Sequence, residues 1–412
     1  MSAALHRSVA SLAIPNYRRF FTGQLVSVSG KWVQNVAAVW LVLHLSGSDT
    51  AVGLTTAAEF LPMLLFGAWG GLLADRLPKR PLLMVTQTLQ VLPPLALFVL
   101  VSAGAVQTWM VIALVAVSGV VTAVDNPARQ SFVTEMVGSD RVVNAVSLNS
   151  VLVHSSRILG PAAAAAVIAV GGVGPCFLLN ALSYVAMIVA LWRMDPRQLR
   201  PAPPARRERG QLREALRYVA ATPRLRLPLL MMAVLGTFSF NFATVLPLMA
   251  KFTFHGTATT LSLLTSALAV GSIVGALTTG ARHRIDRRFL VSSAFAFGGL
   301  TAVAALTPTF GLMLVALALT GMASVSFSAG SNSLTQLAAD PEMRGRVMAL
   351  YGIVFLGSTP IGAPIAGWVS DAIDPRAGLA LGAAAALLTA LVAWGVTLRN
   401  APRDAATSPA RA

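Results

Sequence analysis

Charge is what this chain has least of. Only 11% of its 412 residues are Asp, Glu, Lys or Arg, against about a quarter in a soluble domain. So few charges cannot solvate a globule of this size, whereas a surface facing lipid needs none. Acids are the scarcer sign: 15 Asp and Glu stand against 31 Lys and Arg, a formal net charge of +16. A single cysteine, Cys176, excludes an intramolecular disulfide and a thiolate metal cluster. The five histidines show no ligand spacing, so no metal is expected. No G-x-x-x-x-G-K-[ST] phosphate loop occurs, and no Ser/His/Asp or Cys/His grouping is placed together. These absences argue against a nucleotide-driven machine and against an enzyme, and no cofactor is expected. The basic residues punctuate apolar runs instead of forming one face, which argues against a nucleic-acid partner.

What is present is hydrophobic length. Apolar residues make up 56% of the chain, with mean hydropathy +0.72, and crossing a bilayer takes about 20 of them in a helix. Twelve segments qualify: 20–45, 51–74, 81–103, 108–127, 142–170, 174–193, 227–251, 258–281, 288–306, 309–337, 346–371 and 376–398. Of the Lys and Arg residues, only Lys251 and Arg376 fall in loops on one side of this topology, and Lys31 and Arg157 fall inside spans. Lys and Arg are retained in short cytoplasmic loops, so the rest mark the inside. An even number of crossings then puts both termini in the cytoplasm. The stretch before the first span is short and mixed, so that span is expected to be an uncleaved anchor. The expected place is a plasma membrane, the inner membrane in a bacterium, with lipid as a constant partner and the chain a monomer.

The longest polar stretch, 194–226, contains the Pro- and Arg-rich run 201–209 followed by QLREALRYVA, an amphipathic helix pattern. It divides the chain into a first six-span bundle (1–193), a cytoplasmic linker and a second six-span bundle (227–412). The halves echo each other. Gly71 and Arg80 recur as Gly275 and Arg284 at an offset of 204 residues, and Arg141 recurs as Arg346 at 205. Gly160-Pro161 corresponds to Gly362-Ala-Pro364. Such weak periodicity at half the chain length marks a duplicated transporter fold.

The loop between spans two and three reads Gly71-Leu-Leu-Ala-Asp75-Arg76-Leu-Pro78-Lys79-Arg80. It resembles the signature of the major facilitator superfamily, G-x-x-x-D-R-x-G-R-[KR], departing from it at Pro78. The resemblance implies an all-α membrane protein of twelve transmembrane helices in two pseudo-symmetric six-helix bundles. It also implies a gate: Asp75 facing the start of span eleven near Arg346–Ala349, with Arg76, Lys79 and Arg80 adding ion pairs across the same seam. The strings Asp125-Asn-Pro-Ala-Arg129 and Arg157-Ile-Leu-Gly160-Pro161, with Gly23-Gln-Leu-Val-Ser27 in span one, are similar to the drug and siderophore exporter branch. That branch includes macrolide-efflux, enterobactin-exporter-like and transmembrane secretion effector sequences. Relatives carry an arginine in the middle of span four and a longer glycine series in span five. Here Val117–Ala123 and Ala162–Ala166 stand instead, so their coupling residues do not transfer. On its own physics, Pro161 deletes a helix hydrogen bond and Gly160 admits a neighbouring helix, giving a seal, a pivot or a static kink.

Charges inside spans are expensive and normally face a cavity. Lys31 and Arg157 fall near mid-bilayer, Glu59 in the outer half, and Asp125 with Arg129 toward the inner end of span four; His154 is one helical turn from Arg157. Spans seven to twelve carry no ionisable residue in mid-helix, so coupling chemistry belongs in the first half. Glu59, with Asp125, is the expected proton carrier; Lys31–Glu59 and Arg157–Asp125 are equally readable as static pairs. Trp32, Phe238, Phe240 and Asn241 are candidates to line a cavity for an amphipathic ligand, although aromatics in spans also face lipid. The expectation is a secondary active transporter that exports hydrophobic or amphipathic small molecules, such as antibiotics or siderophores, in exchange for protons. A lipid or lysolipid translocator and a non-transporting receptor or scaffold are the alternatives.

Overall fold

The computed structural model describes residues 10–138, 141–200, 211–282, 285–340 and 342–406, and every regular element among them is helical. In chain order the helices are α1 (Pro15–Ser46), α2 (Asp49–Arg76), α3 (Lys79–Ser102), α4 (Thr108–Val137), α5 (Val142–Gly171) and α6 (Gly174–Trp192). Then come α7 (Gln211–Ala221), α8 (Pro223–Phe238), α9 (Phe242–Leu248), α10 (Ala258–Gly280), α11 (Arg287–Leu306) and α12 (Phe310–Ala338). The last three are α13 (Arg344–Gly357), α14 (Thr359–Ala372) and α15 (Pro375–Ala406). Among the described residues eleven helical segments are long and apolar enough to cross a membrane, counting α8 with α9 and α13 with α14 as one each. The thirty-residue α5 stands where the fifth crossing is expected, and its stretch Leu159–Gly171 is a shorter apolar helix not counted among the eleven.

Local chemistry sets the helix ends. Pro15 opens α1 at a position where its missing N–H costs nothing. Gly47 closes it in the left-handed region (φ 62°), its N–H returning to the Leu43 carbonyl. One residue later the Ser48 hydroxyl accepts from the Ala51 N–H and starts α2. Two expected spans are broken. In span seven, Asn241 Nδ2 donates to the Thr237 carbonyl at 2.7 Å, the acceptor that its own main-chain N–H would use in a continuous helix. The chain therefore leaves α8 and restarts as α9. In span eleven the break falls at Ser358, next to Thr359-Pro360, where proline has no N–H to continue the ladder.

The chain forms two compact units, Met1–Arg207 with Ala250–Ser266, and Glu208–Met249 with Ala267–Ala412. In the first, α2 lies along α4, α6 packs against α1 and α3, and α5 packs on α1. Phe20 and Phe132 meet edge to face at 5.8 Å in a core with Tyr17, Leu83, Met187 and Leu191. In the second unit, α11 packs on α15 and α12, and α8 lies against α15 and α12. The contacts of α6 with α1 and α3 recur as those of α15 with α8 and α11. Close glycine approaches occur in both units: a Cβ on Gly70 of α2 would lie 2.0 Å from the Ala123 carbonyl oxygen of α4, and one on Gly321 of α12 2.0 Å from that of Leu268 in α10. Backbones this close need glycine.

The amphipathic linker segment is the helix α7. It is tied to the second unit by Glu214 Oε1–Arg346 Nη1 (2.7 Å), and by Tyr218, whose hydroxyl donates to Asp340 Oδ2 (2.8 Å) and accepts from the Asp340 N–H (3.0 Å). The Pro-rich run before it lies outside the described residues.

Candidate functional site

Polar side chains inside the first unit are arranged at helical spacing. Gln24, Ser27 and Lys31 share one face of α1, Gln87 and Gln90 one face of α3, and Thr122, Asp125 and Arg129 one face of α4. These faces turn toward one another and, with Asn149 of α5 and Tyr184 of α6, enclose a cavity of about 240 Å³. Of its other lining residues only Val28 and Val153 are apolar. A lining this polar inside a bundle of apolar helices marks a functional position.

Asp125 is the anchor, 3% exposed. Its Oδ1 accepts from Thr86 Oγ1 (2.7 Å) and Gln87 Nε2 (2.8 Å), and its Oδ2 from Arg129 Nε (3.1 Å) and Nη2. A buried carboxylate is tolerated only when paired and hydrogen-bonded, and this one is both. Its cationic partner among the described residues is Arg129, one turn along the same helix: an i,i+4 pair needs no tertiary accident to form. The side chains of Arg157 and His154 lie outside the described residues. Glu59 is held more loosely. Lys31 Nζ approaches its Oε1 at 3.5 Å and Asn35 Nδ2 donates to the same oxygen at 3.1 Å. Lys31 thus joins the cavity wall to a second acid beyond it.

The loop residues divide. Lys79 Nζ lies 3.5 Å from Glu135 Oε1 of α4, with both side chains largely buried. Arg80 donates from Nε to the Leu191 carbonyl (2.9 Å) and from Nη2 to that of Trp192 (3.0 Å). A cation there satisfies orphan carbonyls and the negative end of the α6 dipole. Lys79 and Arg80 are therefore engaged inside the first unit. Asp75 is half-buried and Arg76 exposed at the end of α2; Gly71 is buried, beside the close approach at Gly70. In α5, a Cβ on Gly160 would lie 2.3 Å from Trp32 Cβ, and the Pro161 carbonyl accepts from Ser262 Oγ at 2.5 Å.

The aromatic candidates stand elsewhere. Phe240 packs on Phe297 (5.1 Å) and Phe355 (5.8 Å), Phe238 is half-buried, and Asn241 closes back on its own helix, all in the second unit. Trp32 covers Gly160. None of the four lines the polar cavity. The residues that do, Gln24, Gln87, Gln90, Thr122, Asn149 and Tyr184, escaped sequence reasoning because charged residues and the aromatic run of span seven were weighed there instead. The signal was available: Gln87 and Gln90 are two amides at i,i+3 spacing within one apolar span.

Comparison with known proteins places this architecture. The model of the transmembrane secretion effector family matches residues 6–411. The chain belongs to that family. Family members are transporters of the major facilitator type, so the chain is a multi-pass membrane transporter and not an enzyme. It is 24% identical to a staphyloferrin A transporter of Staphylococcus aureus over 63% of this chain and just under two thirds (65%) of that one. It is 23% identical to macrolide efflux protein A of Streptococcus pyogenes over 86% of this chain and 90% of the relative. Among solved structures, the nucleoside transporter NupG (D323A mutant) superposes with a TM-score of 0.75 at 12% identity, covering 93% of this chain and 99% of that one. That likeness bears on the fold alone.

Proposed function

We propose that the protein is a proton-coupled exporter of amphipathic small molecules of the antibiotic or siderophore kind, driven by the proton gradient of a bacterial inner membrane. The observation that carries the reading is the polar, charge-bearing interior of the first unit. A transporter that moves protons needs an acid able to change partners within the membrane, and two acids compete for the role. Asp125 is held by Thr86, Gln87 and Arg129 together. Among the described residues Glu59 meets Asn35 and Lys31, a smaller set of partners than that of Asp125. We assign Glu59 as the proton carrier, Lys31 as the cation that holds it between protonations, and Asp125–Arg129 as the fixed part of the wall. The name of the macrolide efflux relative supports export, and the names of the staphyloferrin and macrolide relatives support this class of cargo.

The assignment is tested in inverted vesicles. Uphill movement of a dye or macrolide should collapse with a proton ionophore and should fail in Glu59→Gln, while downhill exchange of the same compound survives. Uphill transport that persists in Glu59→Gln would remove Glu59 from coupling. Asp75 remains the gating residue of this proposal, with Gly160-Pro161 as a pivot against Trp32. Asp75→Asn is expected to slow turnover while ligand affinity stays at the parent value; unchanged turnover would withdraw the gate.

A further inference from the structure

A second cavity of the first unit opens at the end that carries the basic loops. Its volume is about 560 Å³, and three stretches remote in the chain build it: the start of α1, the α4–α5 connection and the segment after α6. Hydrogen bonds to the main chain fasten these stretches together. The Ser11 hydroxyl donates to the Arg141 carbonyl (3.3 Å), and the Arg200 N–H donates to the Glu135 carbonyl (2.9 Å). The Asn16 amide exchanges two bonds with the main chain of Asp195, at 2.8 and 3.0 Å. The cavity is thus preformed, and a ligand entering it orders little of the chain.

The floor is apolar and the rim cationic. Met136 and Val137 are buried in it, Ile14 and Leu199 half-buried, and Arg141, Arg197 and Arg200 stand exposed around them. No acid lines the cavity among the described residues. The two described acids that adjoin the lining in the chain are engaged: Glu135 by Lys79, and the Asp195 carboxylate by the Arg197 N–H (3.0 Å) and Gln198 Nε2 (2.9 Å). Other cations at this end are also engaged, Lys79 by Glu135 and Arg80 by two carbonyls. The guanidinium groups of Arg141, Arg197 and Arg200 differ: among the described residues none has an ion pair or an acceptor. Arg141 stands, moreover, at the cap position of α5. A cation is unfavourable at the positive end of a helix dipole, so helix stability does not account for it.

An anion would relieve the repulsion among these groups and use their donors. A phosphate monoester offers three terminal oxygens and up to two charges, a closer match to three guanidinium forks than one carboxylate. The volume of 560 Å³ corresponds to roughly nineteen waters at about 30 Å³ each, well beyond a bare oxyanion. The apolar floor adds nothing for an inorganic ion, whereas it suits an organic part attached to the phosphate.

We propose that this cavity binds a phosphate ester, with the phosphoryl oxygens on Arg141, Arg197 and Arg200 and the organic part over the apolar floor. Two sources carry that chemistry, an anionic phospholipid headgroup and a soluble phosphate ester. Such a site stands apart from the transport reading and does not depend on it.

Binding to the purified full-length protein in a maltoside detergent is measured by calorimetry and thermal shift. Physiological ionic strength screens general attraction between exposed charges. The probes are glycerol phosphate, dioctanoyl phosphatidic acid, which carries the same phosphoglycerol, and dioctanoyl phosphatidylcholine, whose phosphate is balanced by a choline cation. The first two are expected to bind, and phosphatidylcholine about tenfold or more weakly than phosphatidic acid. Phosphatidic acid bound about tenfold or more tightly than glycerol phosphate would identify a lipid as the source, and any smaller advantage a soluble ester. Arg141→Gln and Arg200→Gln are each expected to weaken binding by about tenfold, with the ligand-free melting temperature near or above the parent value. Should either fold poorly, Arg197→Gln takes its place. Arg217→Gln, which removes an exposed cation of α7 outside the cavity, should bind as the parent does. Failure of both phosphate probes to bind the parent, or equal affinity for phosphatidylcholine, would overturn the assignment. So would binding unchanged in the cavity variants, or an equal loss in Arg217→Gln.

Discussion

Asp125→Leu is expected to lower the unfolding free energy by about 3–5 kcal/mol, the cost of leaving a buried cation without its partner. The stranded group is Arg129, whose side chain is 15% exposed, beside a carboxylate side chain that is 4% exposed. Adding Arg129→Met should restore most of that loss, because a buried pair replaced on both sides by apolar groups is close to neutral. Restoration will be incomplete. Thr86 still has the Leu83 carbonyl at 3.1 Å, but Gln87 Nε2 loses the acceptor it reaches at 2.8 Å, a residual penalty of about 1–3 kcal/mol. Thermal and denaturant unfolding of the detergent-solubilised protein measures all three forms. A double variant no more stable than Asp125→Leu would mean that the pair is not what holds this site, and would release Asp125 for a coupling role.

Much of the architecture was legible because the membrane enforces it. A span needs apolar length, and a short basic loop stays inside, so 412 residues reduce to a few numbers per segment. The Lys31–Glu59 pair was legible for the same reason: charges in mid-span are few and must find each other. Asp125 was identified as important, yet its i,i+4 contact with Arg129 was not drawn from the sequence, because attention went to the charges lying deeper in the spans. The break in span seven escaped because it comes from a side chain, Asn241, competing for a main-chain carbonyl, with no proline or glycine at the break itself. Of the aromatic candidates, Phe240 packs on Phe297, as does the neighbouring Phe242. Composition does not say which way a ring in a span will face. The glutamines were overlooked because an amide in an apolar span registers as a mild defect in hydropathy, although it carries two hydrogen-bonding demands that lipid cannot meet.

The same reasoning about close backbones gives the second large effect. A Cβ on Gly271 would lie 1.6 Å from the Ala318 carbonyl oxygen, and one on Gly275 2.3 Å from that of Met322. Both obstructions are main-chain atoms of α12, so no rotamer change relieves them; the helices must separate. In lipid the pair gains little from hydrophobic burial and depends on packing at short range, with Cα–H···O contacts adding to it. Gly271→Ala is therefore expected to cost about 1–3 kcal/mol or more, despite the better helix propensity of alanine. Gly299, within α11, provides the internal control, because nothing lies within 4 Å of its Cβ position. There the propensity argument acts alone, and Gly299→Ala should be neutral or stabilising by up to about 1 kcal/mol. Fluorescence-detected size exclusion after graded heating compares the two at equal chemistry, one added methyl group each. Equal melting temperatures would show that α10 and α12 are not in backbone contact at this crossing. A matching loss in Gly70→Ala, where the obstruction is the Ala123 carbonyl, would show that both halves of the duplicated chain depend on the same kind of helix crossing.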